Sequence, residues 1–334
     1  MLEPVVVIVN PASAGGCTAR AWPGLAKRLD ALGVHFAAFP TTGPLAATVL
    51  TQQALQNGAQ TIVAVGGDGT VNEIVNGFYV DDELLNPSAR LAIIPSGTGR
   101  DLPKTLGIPP GSGALACFVR GRERTIDLGR ATFLDHAGRL TRRYFINIVD
   151  LGLGGETVLQ INQASKMLGG FLAFLYGAVV GILKHHSWLA ELSVDGDPPY
   201  STRTEMVLLA NGQYFGGGMH VAPRAEMDDG YFDLMVLGGT SKFHLIFSLL
   251  PKVYGGRHLN DPRVSCRRVR RVSVSSPDCA LMQMDGELVG TTDATFEILP
   301  GALKLLVPAN SALTDGVSKD ATAASPWQSK RLGS

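Results

Sequence analysis

The chain opens on an unbroken apolar run, Val5-Val6-Val7-Ile8-Val9, the pattern of a strand covered on both faces of a sheet. Asn10-Pro11 stops it, and a Ser/Gly-rich loop follows from Ala12 to Gly16. Helical spacing then runs from Ala19 to Leu32 and stops at Gly33. The alternation repeats: strand Val34 to Phe39, helix Leu45 to Asn57 closed by Gly58, strand Thr61 to Val65, helix Val71 to Phe78, strand Arg90 to Ile94 ending at Pro95. This rhythm predicts an α/β N-terminal domain over residues 1–128 with a mainly parallel sheet.

After about Asp127 the pattern changes. Tyr144 to Val149, Leu189 to Val194, Thr204 to Ala210, Tyr231 to Leu237 and Val269 to Val274 read as strands joined by turns. They predict a β-rich, sandwich-type second domain over residues 129–308. Its last strands, Ala294 to Leu299 and Leu303 to Val307, are free to return to the first domain. From Ala309 the sequence loses periodicity, and residues 309–334 are expected to form a disordered tail.

Met167 to Leu183 is an apolar stretch without a charge, flanked by Lys166 and Lys184. Its 17 residues sit at the lower edge for a bilayer span, and its glycines lower helical propensity. A buried or amphipathic helix is the favoured reading, a helix dipping into a membrane surface the second, a true span the last.

Composition narrows the function. The 334 residues are 45% hydrophobic and 17% charged, which suits a folded protein of two domains. The 29 basic residues balance 29 acidic ones, so no bulk attraction to nucleic acid follows. Cys17, Cys117, Cys266 and Cys279 show no metal-binding spacing and fit a reducing, cytoplasmic setting. The first residues lack the basic start of a signal peptide.

Candidate chemistry gathers at strand ends. Gly66-Gly67-Asp68-Gly69-Thr70 stands between a strand and a helix, where glycines let backbone amides and the helix N-terminus face phosphate oxygens. Taken alone it is equally a tight turn with an Asp cap. Asn10 to Gly16, Thr41-Thr42-Gly43-Pro44 and Pro95 to Asp101 end the other strands, so all four loops are expected on the carboxyl edge of one sheet.

In this combination the chain resembles the diacylglycerol kinase catalytic-domain family, especially its soluble bacterial lipid kinase branch. The match rests on Asn10-Pro11, Gly66 to Glu73 with Asn76-Gly77, Pro95 to Asp101, Asp228-Asp229-Gly230 and Asp285-Gly286-Glu287. The resemblance implies an ATP-dependent lipid kinase acting on diacylglycerol or a related lipid at a membrane surface. It implies nucleotide contacts from Asn10, Thr41, Thr42, Gly66, Gly67, Asp68, Gly69, Thr70, Asn72, Glu73, Gly97 and Thr98. It makes Asp285 the general base, with Glu287 beside it and Asp68 in the catalytic set. It links Asp68, Asp101, Asp127 and Asp285 to Mg2+, and places a second magnesium on Asp229 with the carbonyls of Glu226 and Tyr231. Arg100 departs from the family's usual Asn.

Two other functions stay open on the sequence: a kinase of a soluble acceptor such as NAD, and a nucleotide-gated lipid-binding module without turnover. Peripheral membrane association is expected for the leading reading, and an exposed β edge in the second domain would allow two copies to pair.

Overall fold

The computed structural model describes residues 4–97, 99–135, 137–163 and 170–309. Thr98, residues 167–169 of the apolar stretch and residues 310–334 of the expected tail lie outside the described residues. The N-terminal half is a parallel sheet with Val5–Val9 between Phe36–Pro40 and Thr61–Gly66, and Arg90–Pro95 beside the last. Burial follows position. Every residue of the central strand Thr61–Gly66 is buried, whereas the edge strand Phe36–Pro40 is mostly exposed. Helices Cys17–Ala31, Ala46–Gln56 and Asp68–Gly77 alternate with these strands.

The two halves share a spine. Gly121–Leu134 and Ala294–Pro308 pair antiparallel over nearly their whole length, and Lys304 to Leu306 also pair in parallel with Arg90 to Ala92. The last strand is thus common to both halves. Beyond it, antiparallel strands form a sandwich whose interior includes Phe145 stacked on Phe232, with centroids 5.4 Å apart, and meeting Phe296 edge-on.

Three expected strand boundaries differ, each for a visible reason. Tyr144 to Val149 divides into Leu140–Phe145 and Ile148–Gly152, because the amides of Ile146, Asn147 and Ile148 turn to the carboxylate of Asp285. Val269 to Val274 divides into Val264–Val269 and Arg271–Ser275, because the amides of Arg270 and Arg271 both donate to Asp195 at 2.8 Å. Ala294 to Leu299 and Leu303 to Val307 join into one strand with an irregularity between Leu299 and Leu303. There the amide of Gly301 donates to Asp127.

The apolar stretch contributes the helix Gly170–Lys184. Its glycines are contact positions rather than weak points. A Cβ on Gly177 would stand 2.4 Å from Ile161, and one on Gly181 3.0 Å from Thr157, so these residues let the helix pack closely on Leu153–Gln163. Among the described residues no helix is long and apolar enough to cross a membrane.

Candidate active site

Three of the four loops at the carboxyl ends of the parallel strands, those at Asn10 to Gly16, Gly66 to Thr70 and Pro95 to Asp101, converge on one cleft. Two of them touch back to back: a Cβ on Gly97 would stand 2.5 Å from the Cα of Gly67. Gly66 is equally constrained, since a Cβ there would lie 2.5 Å from Thr70 Oγ1. Thr70 Oγ1 in turn accepts from Asn10 Nδ2 at 2.9 Å, and Asn10 Oδ1 accepts the amide of Ala12. Asn10 and Thr70 therefore brace the loops against each other. The first-turn amides of helix Asp68–Gly77, which have no partner within the helix, open on the cleft.

That cleft, ≈ 310 Å³, lies between the halves. Ser13, Gly67 to Gly69, Gly97 and Gly99 line it from the first half. Asn147, Phe215, Gly216, Asp285 and the helix residues Ile161 and Asn162 line it from the second. Sequence reasoning missed the second group apart from Asp285. No local motif marks Asn147 or Phe215, and only the sheet pairing brings them here.

The carboxylates differ in what they hold. Asp285, in the left-handed region at φ 48°, accepts four hydrogen bonds. Its Oδ1 takes the amides of Asn147 at 3.0 Å and Ile148 at 2.9 Å, and its Oδ2 takes Asn72 Nδ2 at 2.7 Å and the amide of Ile146 at 2.9 Å. These donors use all of a carboxylate's acceptor sites. Burial raises its pKa, and the four donors oppose that rise. Through these contacts Asp285, expected as the base, fastens the 146–148 turn to helix Asp68–Gly77. Asp285→Asn is expected to cost on the order of 3 kcal/mol, because an amide hydrogen would face a backbone donor. Urea unfolding checks this, and an unshifted midpoint would remove the fastening role.

Asp101 and Asp127 also bind backbone. Asp101 accepts the amides of Gly217 at 2.8 Å and Gly218 at 2.7 Å, clamping a glycine turn of the second half onto the first. Asp127 accepts Gly230 at 2.7 Å and Gly301 at 2.8 Å. It does not line the cleft. Burial raises both groups, and these amides pull against it.

Asp68 likewise accepts two backbone amides, those of Asp101 and Leu102. Its pKa is pushed up to about 7, chiefly by burial, then by the charge of Asp101, with Asp285 adding to it. A half-buried carboxylate with free lone pairs thus stands beside the phosphate-binding glycines.

Several expected nucleotide contacts prove structural. Asn72, 0% exposed, bonds Asp285 and the carbonyl of Tyr144. Glu73 accepts the amide of Ala47 at the start of helix Ala46–Gln56. Thr41, half-buried, and exposed Thr42 stand on the same sheet edge without lining the cleft. Glu287 pairs with Arg143 at 2.9 Å and borders Gly69 at the mouth.

Among the described residues no group of three or more His, Cys, Asp or Glu is arranged to hold a metal. A single divalent cation shared with a triphosphate fits the Asp68 side, where Asp101 and Asp285 stand near enough to raise the Asp68 carboxyl. Asp229, which the resemblance gives to a second magnesium together with the carbonyls of Glu226 and Tyr231, is paired with the guanidinium of Arg268 and accepts the amide of Tyr231.

Glycine loops at the carboxyl edge of a parallel sheet, with the Asp68 carboxylate beside them, suit a phosphotransferase site. Residues 4–131 match the Diacylglycerol kinase catalytic domain, and residues 147–307 match the YegS C-terminal NAD kinase beta sandwich-like domain. The chain belongs to the diacylglycerol kinase catalytic-domain family, whose members are phosphotransferases with an alcohol acceptor. It is 29% identical to the "Probable lipid kinase YegS-like" protein of Pseudomonas syringae, over 81% of this chain and 83% of that one. It is 25% identical to a diacylglycerol kinase of Staphylococcus carnosus, over 94% and 98%. Its fold matches the crystal structure of a diacylglycerol kinase from Bacillus anthracis, with TM-score 0.68 and 22% identity over 93% and 98% of the two chains. It also matches yeast NADH kinase in complex with NADH, with TM-score 0.51 and 12% identity over 92% and 83%.

Proposed function

We propose that this enzyme transfers the γ-phosphoryl group of ATP to the hydroxyl of an acyl-bearing lipid, diacylglycerol or a close relative, presented at a membrane surface. One observation carries the acceptor class. A cavity of ≈ 120 Å³ lies beside the cleft, walled almost wholly by apolar side chains that include Leu153, Met206, Leu208 and Met235. Phe215 lines both spaces, and helix Leu153–Gln163 runs along both, with Leu153 on the cavity and Ile161 on the cleft. A molecule with a polar end at the phosphates and an acyl chain in the cavity suits this pair. A dinucleotide acceptor such as NAD has no use for the apolar space.

The residues divide the work. Amides of the 66–70 loop, with those of Gly97 and Gly99, orient the triphosphate, and Gly67 and Gly97 let the two loops pack against each other beneath it. Asp68 accepts the proton of the acceptor hydroxyl as the new oxygen–phosphorus bond forms and the bond to the leaving ADP breaks. Its pKa near 7 suits a base at neutral pH, and this also speaks against a module that has lost turnover. Magnesium bound with the triphosphate would neutralise phosphate charge on the Asp68 side. Four unpaired cysteines suit a reducing cytoplasm, with the enzyme held peripherally at the membrane.

Incubation with γ-labelled ATP, magnesium and a panel of mixed micelles tests the reading. Label is expected in a diacylglycerol-type lipid and not in NAD. Label in NAD alone would replace the lipid acceptor.

A further inference from the structure

A composite helical segment, 242–253, forms an outer wall of the apolar cavity. It begins as Lys242–His244, widens to a π turn at Leu245–Leu249, and ends as Leu250–Val253. Its inner face supplies Leu245, Leu249, Leu250 and Val253 to the cavity. Its outer face carries Phe243 and Phe247, 72% and 65% exposed, with ring centroids 4.5 Å apart. A helix apolar on both faces, with its large aromatic rings on the solvent side, lacks a partner for the outer one. The π turn is the kind of irregularity that places an extra residue on one face and often marks a working site.

The surroundings decide what that partner is. From Leu234 to Asn260 the sequence contains no Asp or Glu but has Lys242, Lys252 and Arg257, all exposed. The ammonium of Lys242 donates to the carbonyl of Leu183, which brings the exposed end of helix Gly170–Lys184 alongside. Leu183 is 53% exposed there, and Lys184 follows it. Phenylalanines ringed by lysines, on the wall of a cavity shaped for acyl chains, complement the headgroup boundary of an anionic bilayer.

We infer that the 242–253 segment is the membrane-docking element: Phe243 and Phe247 enter the surface of an anionic bilayer, while the opposite face forms the cavity that receives the lipid's chain. This rests on the lipid kinase reading for the cavity's occupant, but the docking itself is measurable without turnover. It places the contact chiefly on a segment other than the apolar stretch 167–183.

The test is co-sedimentation of the full chain with vesicles of phosphatidylglycerol and phosphatidylcholine, beside the double variant Phe243→Gln/Phe247→Gln. Both rings are exposed, so the variant keeps the cavity-lining face. Its partitioning is expected to fall by a factor on the order of 100. Phosphorylation of dispersed, short-chain diacylglycerol below its micelle concentration is expected to stay within about twofold of wild type, since no bilayer is then involved. Lys242→Gln/Lys252→Gln is expected to lose on the order of tenfold on these vesicles. Equal vesicle binding by wild type and the phenylalanine variant would overturn the inference. Equal binding of wild type to purely phosphatidylcholine vesicles would overturn the anionic preference. A wild-type dimer that the phenylalanine variant dissolves, with vesicle binding unchanged, would assign the face to a second copy instead. A wild type that phosphorylates neither vesicle-borne nor dispersed lipid would defeat the kinase reading, and sedimentation would still decide the docking.

Discussion

Asp68→Asn is expected to reduce phosphoryl transfer by a factor on the order of 10³ while leaving ATP bound and making the fold more stable above pH 7. The loss follows from removing a carboxylate that keeps free lone pairs beside the phosphate-binding glycines. The gain follows from linkage. The Asp68 carboxyl is raised from 3.8 to about 7 in the folded chain, so ionising it works against the fold. The Asp68 contribution to stability is therefore fullest below pH 4, declines as the pH rises towards 7, and stays lowered above that. The asparagine variant escapes the decline, so its advantage in Tm should be larger at pH 8 than at pH 5. Labelled-phosphate assays, calorimetric ATP titration and melting at both pH values check the three parts. Wild-type kcat/KM should also fall on the acid side of about pH 7. Turnover within tenfold of wild type would return the role of base to another group.

Filling the apolar cavity should separate acceptors by chain length. Ala178, 5% exposed, faces that cavity from helix Gly170–Lys184. Ala178→Phe is expected to lower kcat/KM for a long-chain diacylglycerol on the order of 100-fold, with a butyryl analogue changed less than about threefold. The variant's melting curve guards against general damage, since overpacking costs roughly 1–3 kcal/mol. Unchanged use of long chains would move the acyl site elsewhere.

Much of the first half was legible from local pattern. Continuous β-branched runs marked buried parallel strands, and Asn10, Gly66 to Thr70 and Gly97 marked loops that must approach something closely. The assignment of tasks within the motifs was not legible. Glu73 and Asn72 stand in the same glycine-rich motif, yet one caps a neighbouring helix and the other holds Asp285 from 213 positions away. Likewise, Asp285-Gly286 could be read as a turn or as a catalytic group. In the fold its carboxylate accepts three backbone amides besides Asn72, partners that no local pattern announces. Gly177 and Gly181 turn part of the apolar stretch inwards, in line with the favoured reading of a buried helix, while a short segment far along the chain presents its rings to solvent.

By itself, the order of residues determined which segments become strands and helices and where glycine-lined loops gather, because periodicity and steric freedom are properties of neighbours along the chain. Tertiary structure alone decided which donors each carboxylate of the cleft meets and that an apolar cavity adjoins the phosphate loops. Those depend on hydrogen-bond partners and walls contributed by distant segments, and no local pattern encodes how many donors a carboxylate will meet once the sheets close.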